Sequence, residues 1–407
     1  MRETEFCHFA QDIVLKRLRN CTIAISCRYE NRCILTTCGK CPPDRALRRK
    51  ELPMVKQGEN KMKVLMVGPD RSVHGGISGV VNNYYEAGLN RTIDLCYIGT
   101  MVEGNKFRKF LKAVNALLLF CLKVPFFQIV HVNVASDSSY YRKSFFIKVA
   151  KAFGKKIVIH QHGGDFENFY NKQLNSRGRK SVRKVFSMAD AFLVLSPVAK
   201  QFFSGIVDGN KIVVFPDAIR IPPRIEKQYG QHKLLFLGRL CKAKGIEELL
   251  KAVEELIKEY PDMRLYLGGV WEEQELKALS DAHAAYVEDL GWITGKEKSK
   301  FLTECDLFVL PSHFEGQSVS ILEAMAYSCA VVASDVGGIP QMIEDGETGI
   351  LIRPGDAASL KDGMAKALKD KALCARLGVN ARRKVEAAFS IEKNMEELLL
   401  VYEKILA

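Results

Sequence analysis

The 407-residue sequence lacks the features of a membrane-spanning, secreted or nucleic-acid-binding protein. Its most apolar helical segment contains an uninterrupted apolar run of only seven residues, 116–122, whereas about 20 are needed to cross a bilayer. Residues 1–61 have no apolar core followed by a small-residue cleavage site, which argues against secretion and for a cytoplasmic protein. No DNA- or RNA-binding signature is present. These absences favour a cytoplasmic globular protein.

Cysteine is unevenly distributed. Six of the twelve cysteines fall in residues 1–61: Cys7, Cys21, Cys27, Cys33, Cys38 and Cys41. Cys38 and Cys41 have the C-x2-C spacing of a zinc site, but no matching second pair follows, so zinc is the minority interpretation. The other six are scattered, mostly in apolar runs, as expected for reduced core thiols. Because Met62 begins a natural first strand, we expect 1–61 to be an appended leader, either disordered or a mis-assigned start.

Charge divides the chain into three parts. The net charge is +6 for residues 1–61, +13 for 62–220 and −6 for 221–407. A basic region beside an acidic one predicts a partner that contacts only the basic region. An anionic membrane surface or lipid phosphate ranks above nucleic acid, because the basic run 177–184 lacks aromatic residues for base stacking.

The segment 106–123 mixes basic and bulky apolar residues at helical spacing. One hypothesis is an interfacial helix that rests on a membrane, placing the protein at the inner face of the plasma membrane. The other is a domain helix with one buried face and one basic solvated face. The sequence leaves both open.

Short apolar runs alternate with helical spans throughout residues 62–407. In the first half the runs lie near 63–67, 92–98, 127–132, 156–160, 191–195 and 211–215. Repeated βα units predict parallel sheets with helices on both faces. We expect an α/β chain with a Rossmann-like domain at 62–220, a proline-containing linker at 221–232, and a second such domain at 233–390. A last helix, 391–407, is expected to cross back to the first domain.

Two glutamates eight residues apart are the most informative feature. Glu315 follows the apolar run 306–310 on a loop, and Glu323 falls inside the helix that the loop opens into. A helix start offers unpaired N–H groups, and ionised carboxylates accept hydrogen bonds from vicinal hydroxyls. The pair therefore suits a polyol ligand. The competing interpretation is one capping glutamate and one solvated glutamate.

Three further elements place polar or glycine residues after a strand. Gly238, Arg239 and Lys244 follow the run 233–237, and a guanidinium with an ammonium can neutralise a diphosphate. Gly75 and Gly76 follow the first strand and let a ligand approach the backbone. His162 and Gly163 follow the run 156–161, where the strand pattern buries His160. Taken singly, each is also compatible with an ordinary surface turn.

Together these elements resemble retaining glycosyltransferases of family four, which have the GT-B fold of two Rossmann-like domains facing a cleft. The shared motifs are Glu315 and Glu323 in the E-x7-E element, Ala324-Met325-Ala326, Gly337-Gly338-Ile339-Pro340-Gln341, Gly238-Arg239, and Lys244-Gly245. One departure is Gln317-Ser318, where many relatives carry aromatic and glycine residues. This variant is similar to bacterial capsule and exopolysaccharide transferases, and it leaves the donor sugar open.

The resemblance implies a role for each position. Arg239 and Lys244 would hold the diphosphate, Glu323 the ribose, and Glu315 with Gly316, Gln317 and Ser318 the hexose. Gly75, Gly76 and Gly238 would face the donor, Trp292 and Ile293 would lie near the base, and His162 would lie near the transferred sugar. Glu315, His162, Arg239 and Lys244 are the expected catalytic set.

The implied activity is metal-independent, retaining transfer of a hexosyl group from a nucleotide-diphosphate sugar to a hydroxyl of a lipid-linked glycan. No cofactor is expected, and the chain contains no D-x-D sequence. Two alternatives stay open: a sugar-nucleotide epimerase of the same architecture, and a catalytically inactive binding subunit.

Overall fold

The computed structural model describes residues 61–163 and 165–407, and residues 62–407 form one compact unit. The predicted leader and the Cys38–Cys41 zinc hypothesis lie outside the described residues. Within the described part, the six cysteines are free thiols, and Cys241, Cys305, Cys329 and Cys374 are buried.

Within residues 61–163 and 165–407, twelve strands form two six-stranded parallel sheets. The strands of the first sheet are β1 (Lys63–Gly68), β2 (Asp94–Gly99), β3 (Ile129–Val134), β4 (Lys156–Gln161), β5 (Ala191–Val194) and β6 (Ile212–Val214), in spatial order β2-β1-β3-β4-β5-β6. Those of the second are β7 (Lys233–Leu237), β8 (Arg264–Gly268), β9 (Val287–Gly291), β10 (Leu307–Leu310), β11 (Ala330–Ser334) and β12 (Ile350–Ile352), in order β12-β11-β10-β7-β8-β9. The predicted fold class, two doubly wound parallel-sheet domains, is confirmed.

Helices connect the strands and cover both sheets. Around the first sheet they are α1 (Gly76–Ala87), α2 (Leu89–Thr92), α3 (Lys106–Lys123), α4 (Asp137–Ala152), α5 (Phe166–Asn168), α6 (Ser176–Phe186) and α7 (Pro197–Ser204). Around the second they are α8 (Ile246–Leu256), α9 (Gln274–Ala282), α10 (Gly295–Glu304), α11 (Val319–Ala326), α12 (Ile339–Met342), α13 (Ala357–Lys369) and α14 (Lys371–Ala388), followed by α15 (Ile391–Leu406). Short 3-10 turns occupy Val124–Phe126, Gly209–Lys211 and Lys242–Lys244, and a π-helical turn occupies Phe169–Gln173.

The inner strands of each sheet are buried on both faces, as the uninterrupted apolar runs predict. Every residue of β3, β5, β10 and β11 is buried. Parallel strands need helices on both faces, so such runs lack the alternation of a half-exposed strand. The order of each sheet reverses once, between β1 and β3 in the first and between β7 and β10 in the second. Ligands of open parallel sheets bind at such reversals, outside the carboxyl ends of the strands.

Helix α15 lies against the first sheet although it follows the second in sequence. Five of its apolar residues are buried in a core cluster that includes residues of β1, β3 and β4: Ile391, Met395, Leu398, Tyr402 and Ile405. The Tyr402 hydroxyl lies 2.7 Å from Nδ1 of His131 on β3, and the Tyr84 hydroxyl donates to Oδ1 of Asn394 at 2.8 Å. Residues 62–220 together with α15 are called the first lobe below, and residues 221–390 are called the second lobe.

Helix α3 belongs to the first lobe through a narrow face. Only Ala116 and Phe120 of its 18 residues are buried. The domain-helix hypothesis is therefore correct for that face, while bulky apolar side chains remain exposed on the opposite one. Among the described residues, no helix combines the length and apolar character needed to cross a bilayer.

Candidate functional site

A cavity of about 490 Å³ lies between the two lobes, at the carboxyl ends of their strands. Its size falls within the range of small-molecule sites. Every site residue predicted from the sequence lines it: Gly75, Gly76, His162, Gly238, Arg239, Trp292, Ile293, Lys244, Glu315, Gly316, Gln317, Ser318 and Glu323. The structure thus brings five separate sequence elements into one cleft, while their individual roles stay predictions.

Glu315 lies on the loop between β10 and α11. Its carboxylate contacts the ammonium of Lys244, and its Oε1 accepts a hydrogen bond from Ser312 Oγ at 3.0 Å. The loop rests directly on the next glycine pair: an added Cβ at Gly337 would lie 1.7 Å from the Glu315 carbonyl oxygen, and one at Gly338 would lie 1.9 Å from that of Gly316. No side chain fits there. The two glycines therefore allow the Glu315 loop to pack directly against the turn that follows β11.

Glu323 lies one turn into α11 and points back toward the cavity. Its Oε1 accepts a hydrogen bond from Lys298 Nζ at 2.6 Å. Lys298 on α10 also lines the cavity, and no sequence motif identified it. Its pairing leaves the second carboxylate oxygen of Glu323 available to a ligand hydroxyl.

The two predicted phosphate ligands are also paired with carboxylates. Arg239 Nη1 lies 3.1 Å from Glu272 Oε1, with half of the arginine side chain exposed. The turn that carries Lys244 ends at Gly245, whose φ of 72° and close approach to the Pro311 carbonyl both exclude a side chain. A bound diphosphate would replace Glu272 as the partner of Arg239. It would contact Lys244 alongside Glu315.

The first lobe supplies the opposite wall. A Cβ added at Gly75 or Gly76 would meet no heavy atom within 4 Å, so the start of α1 is open to the cavity. The His74 ring lies 4.4 Å from that of Trp292, centroid to centroid, and joins the two lobes at the rim. His74 was missed because a loop histidine beside two glycines carries no pattern of its own.

His162 is held between two polar side chains. Its Nε2 lies 2.9 Å from Asn133 Oδ1 on β3, and its Nδ1 lies 3.3 Å from Asp217 Oδ1. Asp217 is nearly fully buried and follows β6 after a proline. It was missed, although a polar residue that follows an apolar strand is the same signal that identified the other loops.

His160, His162 and Asp217 are the group that could hold a metal ion within the described part of the chain, since their ligand atoms all lie within 4.8 Å of one another. His160 is fully buried, as predicted, and burial holds its pKa well below the usual value. Its neighbour His131 has a pKa lowered to about 3 by burial, with the nearby His162 adding to the effect. The His162 ring and the Asp217 carboxylate equally fit a hydrogen-bonded pair, with Nδ1 3.4 Å from Oδ2.

Comparison with known proteins finds a family match that covers most of the second lobe. Residues 217–384 match the family described as glycosyl transferases group 1. An uncharacterized glycosyltransferase of Methanocaldococcus jannaschii is 27% identical over 280 residues, which cover 64% of this chain and 71% of that protein. The capsular polysaccharide biosynthesis glycosyltransferase CapM of Staphylococcus aureus is 28% identical, over 45% of this chain and 50% of its own length. The second alignment therefore spans only half of that relative.

A solved structure has the same two-lobed fold. HepE of Anabaena, crystallised with UDP and glucose, aligns with a TM-score of 0.67 at 16% identity and covers 84% of this chain and 100% of its own. At that identity the likeness concerns the fold alone.

Proposed function

We propose that this chain, a GT-B glycosyltransferase resembling bacterial capsule enzymes, transfers a hexosyl group from a nucleotide-diphosphate sugar to a hydroxyl of a glycan acceptor, with retention of anomeric configuration. The observation that carries the proposal is the juxtaposition of Lys244 with Glu315 at the cavity wall, with Arg239 and Glu323 on the same wall. Cations for a diphosphate and carboxylates for sugar hydroxyls occupy one cleft. HepE, with UDP and glucose bound in a similar fold, supports this donor class.

In the proposed complex the donor lies along the second lobe. Trp292 and Ile293 are near the base, and Glu323, oriented by Lys298, accepts the ribose hydroxyls. Arg239 and Lys244 bind the diphosphate. Glu315 and the backbone N–H groups of residues 316–318 orient the hexose.

Departure of the nucleoside diphosphate places negative charge between the lobes. Arg239, Lys244 and the open N-terminus of α1 at Gly75 and Gly76 stabilise that charge electrostatically. A diphosphate oxygen accepts the acceptor's hydroxyl proton on the face from which it leaves, so the new bond forms on that face. His162, across the cleft, contacts the transferred sugar.

Transfer is proposed to need no metal ion. We expect EDTA to leave the initial rate within about twofold of the untreated enzyme. Loss of activity with EDTA and its return with Zn²⁺ would instead assign an ion to His160, His162 and Asp217.

The donor is tested by a thermal-shift panel of UDP-, GDP- and ADP-sugars. A ligand at 100 times its dissociation constant stabilises the folded state by about 2.7 kcal/mol, a shift that is readily measured. One nucleotide series should raise the midpoint, and its free sugar should not. No shift with any of them contradicts the proposal.

The role of Glu315 is tested by Glu315→Gln, which keeps the size of the side chain and removes its charge. Glu315 is proposed to orient the hexose in the transition state, so kcat should fall about 100-fold or more. Gln201→Glu, at an exposed position of α7, serves as the charge-change control. An unchanged transfer rate in Glu315→Gln would eliminate the assigned role.

We further propose that the acceptor is lipid-linked and that the first lobe contacts an anionic membrane at the cytoplasmic side. Helix α3 exposes Phe107, Phe110, Leu118 and Leu122, each 60–69% accessible. At about 100° per residue these side chains share one face, and Lys106 and Arg108 flank it on opposite sides. An apolar face between basic flanks suits an anionic bilayer surface, and residues 62–220 carry a net charge of +13.

Membrane contact is tested by flotation with vesicles of phosphatidylglycerol or phosphatidylcholine. The chain should float with the anionic vesicles only, and Phe107→Ser with Phe110→Ser should reduce binding at least tenfold. Leu400→Ser is the matched control, because Leu400 is equally exposed on α15. Unchanged flotation of the double variant, or dimerisation that depends on Phe107 and Phe110, would contradict this surface.

A further inference from the structure

Gln317 joins the two lobes through its side-chain amide. Its Oε1 accepts a hydrogen bond from the Asp217 backbone N–H at 2.7 Å, and its Nε2 donates to the Asp217 carbonyl oxygen at 3.1 Å. The main chain of each non-proline residue offers one N–H donor and one C=O acceptor, so a single orientation of the Gln317 amide satisfies both groups of Asp217. This contact is called the Gln317–Asp217 pair below.

The two ends of the pair lie next to the two sides of the candidate site. Gln317 is two residues beyond Glu315, on the loop proposed to orient the hexose. His162 Nδ1 lies 3.3 Å from Asp217 Oδ1 and 3.4 Å from its Oδ2, and His162 Nε2 lies 2.9 Å from Asn133 Oδ1. A shift of the Glu315 loop therefore moves the backbone that carries the His162 partner.

We infer that Gln317 is a positioning residue. It sets the orientation of the His162 ring through Asp217, and it links that orientation to the position of the Glu315 loop. An apolar or aromatic side chain in its place can contact Asp217 but cannot hydrogen-bond both backbone groups. The amide thus provides a hydrogen-bonded link between the donor loop and the first lobe. The inference rests on the proposed function because its main readout is the transfer rate.

The first test compares Gln317→Leu with Gln201→Leu. Leucine matches glutamine in size and cannot form the pair, whereas Gln201 is exposed on α7. We expect Gln317→Leu to lower kcat about tenfold or more, to change the donor KM less than threefold, and to displace the pH–rate profile. A rise in KM with unchanged kcat would make Gln317 a ligand contact and overturn the inference, as would wild-type kinetics.

The second test is Gln317→Glu, in which protonation restores the pair. An ionised carboxylate accepts from the Asp217 N–H but repels its carbonyl oxygen, while a protonated carboxyl both donates and accepts as the amide does. The activity of Gln317→Glu relative to the natural chain should therefore increase as the pH falls from 8 toward 5. Asp217, His162, Glu315 and Lys244 face this region in both proteins, so the ratio compares chains that differ only at position 317. A pH-independent ratio overturns the inference.

A third measurement does not depend on catalysis and separates this inference from the proposed function. Amide hydrogen exchange in residues 156–163, which carry His162, should accelerate in Gln317→Leu and stay unchanged in Gln201→Leu. If the natural chain transfers no sugar but shows this difference, the proposed function fails and the positioning role survives. Equal exchange in both variants contradicts the positioning role.

Discussion

Three carboxylates of the second lobe each contact a cation at the cavity: Glu315 with Lys244, Glu323 with Lys298, and Glu272 with Arg239. The first two pairs are largely shielded from solvent, whereas the third is half exposed. An exposed pair contributes little to stability, so in the proposed complex Glu272 would compete with the diphosphate for Arg239 more than it supports the fold.

Removing that competitor should improve donor binding. We expect Glu272→Gln to lower the donor KM about two- to fivefold with little change in the thermal midpoint, because about 1 kcal/mol or less holds an exposed pair. Steady-state kinetics with varied donor measure this effect. An increased KM would show that Glu272 organises Arg239 and does not compete for it.

The buried histidines make stability depend on pH. The pKa of His131 is about 3 in the folded chain and near 6.5 when unfolded, so below pH 6.5 the unfolded chain binds the extra proton. The free energy of unfolding contributed by the neutral His131 ring is complete above pH 6.5, and it is lost progressively as the pH falls toward 3. The free energy of unfolding should drop on the order of 2 kcal/mol between pH 7.5 and 5 from this group alone.

The matched variant replaces both hydrogen-bonded partners. His131→Phe with Tyr402→Phe removes the titrating ring and the hydroxyl that faces it, so no buried polar group is left unpaired. Urea unfolding at the two pH values should show a pH dependence smaller by about 2 kcal/mol. An unchanged dependence would place the titration elsewhere.

At the scale of elements, the loop from β10 to α11 is held by the turn that follows β11. Gly337 has a φ of 54°, and Gly338 lies against the carbonyl of Gly316. The sequence predicts only a flexible glycine turn here, because proximity to Glu315 is created by the parallel pairing of β10 with β11. In the structure this turn supports the loop closely.

Gly338→Ala should therefore displace the Glu315 loop. The added methyl group would lie 1.9 Å from the Gly316 oxygen, so the donor KM should rise at least tenfold and stability should fall by about 1–3 kcal/mol. Gly209→Ala, on an open turn of the first lobe, is the control. Equal kinetics of the two variants would contradict a supporting role for Gly338.

The elements themselves were largely predictable. Apolar runs identified the six first-sheet strands within about two residues, because parallel strands are buried on both faces. The contacts that complete the site were not predictable: Lys298 with Glu323, His74 with Trp292, and Gln317 with Asp217. Each contact joins residues that are far apart in the sequence. Their proximity depends on how two elements or two lobes pack together, which the spacing of residues along the chain does not reveal.

At the scale of the whole molecule, the chain passes between the lobes twice and the two passages are hydrogen-bonded together. The Ile219 N–H donates to the Phe389 carbonyl at 3.0 Å, and the Ile391 N–H donates to the Ile219 carbonyl at 2.9 Å. The second passage leads into α15, whose five buried apolar residues complete the first core.

Deleting residues 391–407 should unfold the first lobe. Each buried apolar side chain contributes roughly 1.5–3 kcal/mol, so five approach the 5–15 kcal/mol that stabilises a typical domain. Limited proteolysis should digest residues 62–218 and spare 233–390. Leu400→Ala, on the exposed side of α15, should leave the digestion pattern unchanged. Survival of residues 62–218 would contradict a stabilising role for α15.

The position of α15 also sets the order in which the protein can mature during synthesis. The first lobe is translated first, yet its last core helix emerges only after the whole second lobe has been made. At about 5–20 residues per second, the roughly 170 intervening residues delay completion by about 10–30 s. During that interval the surface that later receives Tyr402 is open on the nascent chain. The second lobe can fold first, and until α15 emerges the first lobe exposes apolar surface of the kind that chaperones bind.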